Sequence, residues 1–133
     1  MRGWLGAFRR PETLGTRGER VASKHLRSRG YRILMHNART RAGELDLVAL
    51  APDRETVVVV EVKAKIVRAG SDAPPPEASV TARKRRKLIL LTDQLRARKG
   101  WTDRPVRIDV IAVDFVDEGP PVVRHFENAV TAR

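Results

Sequence analysis

Asp46, Glu61 and Lys63 are the residues of this 133-residue chain whose types and spacing point most directly to chemistry. Asp46 lies in the alternating segment ELDLVAL (Glu44–Leu50), and Glu61 and Lys63 lie two apart near the end of VVVVEVKAK (Val57–Lys65). Alternate residues of a strand share a face. Glu44, Asp46, Val48 and Leu50 therefore point one way from the first strand, and Val57, Val59, Glu61, Lys63 and Lys65 point one way from the second. Pairing of the two strands through the short turn brings Asp46 and Glu61 together. Two carboxylates at close range repel, and one takes up a proton more readily unless a cation sits between them. Hard oxygen ligands suit Mg²⁺ or Mn²⁺, with water, backbone carbonyl and a substrate phosphate completing the coordination. Lys63 reaches the same spot, where an ammonium orients water and stabilises charge on a phosphate. The alternative is a solvated sheet face on which Glu61 pairs with Lys63 or Lys65. The all-valine approach to Glu61 favours a central strand whose charges point into a pocket.

Those strands need elements to hold them. Thr16-Arg17-Gly18-Glu19 has the spacing of a capping box, so a first helix is expected from Thr16, with Val21, Ala22, His25 and Leu26 as its apolar stripe and Gly30 as its end. Residues 1–15 read as a basic arm and residues 16–133 as one domain. Tyr31–Asn37 reads as a strand, Glu44–Leu50 as the next, and Ala51-Pro52-Asp53-Arg54 supplies a turn that returns VVVVEVKAK antiparallel. Ile66–Pro76, with Gly and three prolines, reads as a mobile loop. A second helix is expected from Glu77 to Arg98, then a strand over Val106–Asp114 parallel to its partner, and a short edge strand over Pro121–Glu127. The order is helix, three strands, helix, one or two strands: an α/β mixed sheet with helices packed on it.

On the second helix Val80, Lys84, Leu88, Leu91 and Leu95 form one stripe. Lys84 either reaches the strand carboxylates or snorkels at the helix end with its ammonium in water. Ile89 and Leu90 fall off the stripe and hint at a further contact such as a dimer interface.

Net charge is +11, which points to a polyanionic partner. Residues 1–41 carry eleven basic and two acidic side chains, and residues 83–99 carry eight and one. Arg outnumbers Lys, which suits bidentate phosphate contacts. The chain has no cysteine, so disulfides, zinc–thiolate sites and thiol catalysis are excluded. No apolar run has the length of a membrane span and the N-terminus lacks a secretory core, so a soluble cytoplasmic protein is expected. His25, His36 and His125 have no ligand spacing, and no Gly-rich phosphate loop with a following lysine is present.

Gly43-Glu44-Leu45-Asp46, followed after fourteen residues by Glu61-Val62-Lys63, resembles the bipartite PD-(D/E)xK nuclease motif. With GERVASKHLRSRGYRIL, GELDLVA, VVVEVKAK and RIDVIAV, the chain over residues 16–115 resembles the widespread bacterial YraN family, itself similar to archaeal Holliday junction resolvases. The resemblance implies a restriction-endonuclease-like fold of order αβββαβ(β) and Mg²⁺- or Mn²⁺-dependent hydrolysis of DNA, branched or damaged, by a chain that can dimerise. It implies Asp46 and Glu61 as metal-binding carboxylates, Lys63 as the catalytic lysine, and Glu19 as the helix glutamate that completes the site, a role that competes with the capping box. Lys84 matches a basic residue on the following helix; Arg20, Arg39, Arg41 and Lys65 join it as the expected nucleic-acid contacts. Arg107 and Asp109 match a late R-x-D pattern with no chemical role beyond a buried ion pair for Asp109. Ala64-Lys65 stands where relatives tend to have a hydroxyl residue and Arg, and the proline-rich loop is unusual in composition. The alternative is a nucleic-acid-binding or protein-partner module that keeps the fold without cutting.

Overall fold

VVVVEVKAK lies in the centre of a five-stranded sheet. The computed structural model describes residues 11–68 and 80–131. Its strands are β1 (Arg32–Thr40), β2 (Gly43–Leu50), β3 (Val57–Val67), β4 (Val106–Val116) and β5 (Val122–Val130), in the spatial order β1-β2-β3-β4-β5. Helices α1 (Leu14–Ser28) and α2 (Ala82–Lys99) complete the order αβββαββ. All pairs are antiparallel except β3 with β4, which run parallel across the α2 crossover. The mixed sheet between helices is the architecture expected from the sequence.

Valine at four successive positions suits a strand buried on both faces. Val58 and Val60 join Ala22, Leu26 and Tyr31 in the core under α1. Val57 and Val59 join Leu88, Leu91 and Leu95 in the core under α2. The helices therefore cover opposite faces, and whatever β3 carries after Val60 emerges between them.

Several boundaries differ from the sequence expectation. Helix α1 starts at Leu14, with Thr13 as its N-cap, because the Thr13 hydroxyl accepts from the Thr16 amide at 3.1 Å. Thr16 is inside the helix, so the Thr16–Glu19 capping box does not form. Strand β3 runs on through Val67, so the first two residues of the expected loop are strand; most of that loop, from residue 69, lies outside the described residues, as do residues 1–10 of the expected arm. Helix α2 starts at Ala82, where the Thr81 hydroxyl caps the Lys84 amide; Glu77, the expected start, lies outside the described residues. Strand β1 is longer than expected, reaching Thr40, and β5 is a full nine-residue edge strand. Ile89 packs against the α2 core while Leu90 stays exposed.

Asp109, on β4, is fully buried. Its carboxylate accepts from Arg107 Nε at 2.9 Å and from the Asn128 amide at 2.8 Å, and it lies 2.7 Å from His125 Nε2. Arg107 also donates to the Tyr31 hydroxyl at 2.7 Å. Burial pushes the Asp109 carboxyl up, but these partners outweigh it and hold the group below the usual range. The late R-x-D pair is thus a buried ion pair that ties β4 to β5 and to the end of α1.

Candidate active site

The site begins where a ladder stops. Strands β2 and β3 pair from Leu50↔Val57 to Leu47↔Val60 and no further. The next pair in that register would be Asp46 and Glu61. Instead the strands part, and the Asp46 carboxylate accepts from the Val62 amide at 2.8 Å. The side chain takes the hydrogen bond that the neighbouring backbone no longer offers. That contact fixes one oxygen of Asp46 at the fork.

Glu61 stays on the α2 face with Lys63, its carboxylate 3.4 Å from the Lys63 ammonium. Glu19 approaches from α1, on the other face. Its neighbour Gly18 is what lets the helix come so near: a Cβ added at Gly18 would stand 2.6 Å from Ala64 Cβ on β3. With no capping box to hold it, Glu19 is available to the fork. Glu19 Oε1 is buried without a hydrogen-bond partner among the described residues, an arrangement that costs about 1–3 kcal/mol or more for a charged group.

The proton affinities follow from this placement. Glu19 is raised above its usual range by burial first, then by the charges of Asp46, Glu44 and Glu61. Asp46 is raised by burial against the pull of the Val62 amide and Lys63. Glu61 is raised by burial and by Asp46, against Lys63 and Lys84. Glu19 on α1 therefore senses Asp46, Glu44 and Glu61, and Glu61 senses Asp46, and a divalent cation is the kind of ligand that would relieve such crowding. Hard oxygens and one orphaned carboxylate oxygen fit Mg²⁺ or Mn²⁺. Among the described residues no three acidic or imidazole groups already stand in metal-ligating geometry, so a cation would have to draw these side chains together.

Beside the carboxylates opens a cavity of about 200 Å³ whose lining includes Glu44, Glu61, Lys63 and Lys84. Lys84 therefore reaches the site, and the ammonium of Lys63 beside it pushes its proton affinity down. The other expected contacts are more scattered. Arg20 is ion-paired with Glu12, Arg39 lies 3.6 Å from Glu44, and Arg41 is exposed in the β1–β2 turn. Lys65 turns away to Asp114, 4.0 Å off, which also receives Arg124 at 2.8 Å. Sequence reasoning missed the parts played by Gly18 and Gly43. A glycine in a helix interior is a signal of close approach that was there to be read.

The family model described as "Uncharacterised protein family UPF0102" matches residues 18–113. Proteins described as UPF0102 protein are similar over most of their length. One from Pelobacter propionicus is 39% identical over 115 residues, 86% of this chain and 80% of the relative. One from Pelotomaculum thermopropionicum is 44% identical over 117 residues, 87% and 93%. One from Pseudomonas aeruginosa is 42% identical over 120 residues, 89% and 92%. Among solved structures, a repair endonuclease from Pyrococcus abyssi aligns with a TM-score of 0.47 at 16% identity, and an EndoMS–double-stranded DNA complex with 0.42 at 16%. Each alignment covers 84% of this chain and about two-fifths of the other, 42% and 41%. The chain belongs to the UPF0102 family, the YraN-like family that its motifs resemble.

Proposed function

We propose that this protein is a divalent-cation-dependent nuclease that hydrolyses phosphodiester bonds of DNA. The observation that supports the reading is the geometry at the fork between β2 and β3: Glu19 Oε1 buried and unpartnered among the described residues, Asp46 held by the Val62 amide at 2.8 Å, and Glu61 3.4 Å from Lys63. Asp46 and Glu61 would hold Mg²⁺ or Mn²⁺, with Glu19 as the third carboxylate. When bound, the cation would supply charge neutralisation for an incoming phosphate and a water of lowered pKa. Lys63, 3.4 Å from Glu61, sits where an ammonium stabilises negative charge building on the phosphate oxygens. Lys84 and the basic surface of α2 bind flanking phosphates.

The test is cleavage of branched, single-stranded and duplex DNA with and without Mg²⁺ or Mn²⁺. Lys63→Ala should slow cleavage about 10²–10³-fold, the usual cost of one preorganised charge donor, and Glu61→Gln should abolish metal-dependent cleavage. Activity that survives both changes would belong to another site and end the proposal.

One observation favours a second reading, a binding module that keeps the fold without cutting. The Glu61–Lys63 contact already satisfies part of the charge without a metal. Binding with a steep salt dependence and no cleavage under any divalent cation would establish that reading instead.

A further inference from the structure

We infer that a second cavity, on another flank of α2, is a binding site for a short aliphatic monocarboxylate. It stands apart from the nuclease reading, because the two cavities share no lining residue.

The cavity lies between the second half of α2 and the end of the sheet where β4 begins and β5 finishes. It measures about 190 Å³, and Ile89, Val106, Ile108 and Val130 give it apolar walls. Thr92 and Arg96, one helical turn apart, also line it. Thr92 is only 4% exposed, and its hydroxyl has no hydrogen-bond partner among the described residues. Arg96 Nε is buried and likewise unpartnered among them. The guanidinium is nevertheless held in place. Its Nη2 donates to the Thr102 carbonyl at 3.2 Å and to the Arg104 carbonyl at 3.3 Å. Both acceptors are neutral, and among the described residues no carboxylate pairs with Arg96. A fixed cation and a hydroxyl thus meet at an apolar cavity with bonds still to make.

Those bonds choose the ligand. A buried donor left unsatisfied is destabilising, and a charged one more so. A planar anion with two oxygens completes both, one oxygen taking the Arg96 Nε–H and the other the Thr92 hydroxyl. A carboxylate has that shape, and it is the anion whose plane matches a guanidinium. Isoleucine and valine walls call for a hydrocarbon stem behind it. At about 30 Å³ per water the cavity has room for about six waters, the bulk of an acid of about five carbons. Asp93 lines the same cavity and is itself exposed. Its charge repels a second anionic group, which selects a monocarboxylate over a dicarboxylate. Phosphate, tetrahedral and more highly charged, suits neither the walls nor Asp93.

The test is titration of the ¹⁵N-labelled full chain with sodium isovalerate at constant ionic strength, read from amide chemical shifts. Shifts centred on Thr92, Arg96 and Val130 should saturate with a Kd below about 1 mM. Isoamyl alcohol, which keeps the stem without the charge, and glutarate, which adds a second carboxylate, should each bind at least about tenfold more weakly. Thr92→Val keeps the side chain's shape and should weaken isovalerate about tenfold. Ile89→Phe, at a partly buried wall, should fill the cavity and abolish binding. No saturation by about 10 mM isovalerate overturns the inference. So does isoamyl alcohol or glutarate binding as tightly as isovalerate, or an affinity that survives unchanged in folded Thr92→Val and Ile89→Phe.

Discussion

Gly18→Ala should destabilise the protein, although the same change in an open helix does the opposite. Gly18 lies inside α1, where alanine would gain about 1 kcal/mol of helix propensity. The new Cβ would stand 2.6 Å from Ala64 Cβ, 3.5 Å from Val62 Cγ1 and 3.7 Å from Ala64 Cα. Carbon atoms rest about 3.5–4.0 Å apart, so the helix must lift by roughly 1 Å at a point where neither partner has a flexible end to swing aside. Overpacking of this kind costs about 1–3 kcal/mol. The balance is a loss of about 1 kcal/mol, or about 4 °C in Tm for a chain of this size.

The displacement is also aimed. Glu19 follows Gly18, so lifting α1 draws its carboxylate out of the fork, and Mn²⁺ affinity measured by calorimetry should fall with stability. Ala64→Gly removes the methyl that the added Cβ would meet. The double variant should therefore recover Mn²⁺ affinity and be more stable than the sum of the single changes by about 1 kcal/mol or more, read from urea denaturation followed by circular dichroism. A Gly18→Ala protein more stable than wild type, with unchanged Mn²⁺ binding, would refute the claim that this contact sets the depth of Glu19.

Glu19, Asp46 and Glu61 all bind protons more tightly in the folded state than ordinary carboxylates. Stability should therefore fall as pH rises from the usual carboxylate pKa through the raised values. At neutral pH Glu19→Gln should stabilise the metal-free protein by about 1 kcal/mol in urea melts, and an unchanged or lower midpoint would count against the repulsion. Mn²⁺ at 100 times its Kd should add about 2.7 kcal/mol to the wild type and far less to Glu61→Gln, measured by thermal melting. His25 is pushed down by burial, then by His125 and Arg29; stability should drop as pH falls below about 6.5, and His25→Gln should flatten that slope in melts taken across pH. Asp109→Ala strips Arg107, His125 and the Asn128 amide of their shared acceptor and should cost about 3–5 kcal/mol, whereas an effect below about 1 kcal/mol would show that the cluster is solvated.

Much of this was legible because it rests on periods of two and on residue types that resist burial. The alternation in ELDLVAL and the valines of β3 placed both strands and their pairing, and the same parity put Glu61 and Lys63 on one face. Parity fails at Asp46 itself. Leu45 joins Val48 in the core under α2 while Leu47 and Ala49 lie under α1, so Glu44 and Asp46 do not share one face with Val48 as expected. The strands part after Leu47↔Val60, since a ladder's end is set by twist and by the demands of both neighbours. The capping box misled for a related reason. Thr13 and Thr16 both have the chemistry of an N-cap, and packing of Leu14 against the core under α1 favours the earlier start. That one-turn difference decides whether Glu19 is spent on its own helix or free for the fork. Lys65 shares the face of Glu61 and Lys63 but stands beside its register partner Asp114 on β4, a neighbour that the period of one strand does not reveal.

The fork itself follows from unequal support of β3. On one side β4 pairs with it in parallel over eleven positions, from Val57↔Val106 to Val67↔Val116; on the other, β2 pairs over four. β3 can therefore lose its β2 partner without losing its place, and the amides beyond Val60 face a neighbour that has turned away. An amide left in a half-buried gap needs an acceptor, and Asp46 is the first side chain of β2 past the last pair. The bond from the Val62 amide is thus a structural necessity of the fork and the orienting contact of a carboxylate at once. Glu61 and Lys63 extend past the same point on a strand held rigid from the far side, and Gly18 lets α1 close over it from above. A flat, fully paired β2–β3 ladder would satisfy its own backbone and give Asp46 no amide to hold; it is the interruption that sets this carboxylate at the fork and makes an ordinary mixed sheet a candidate site.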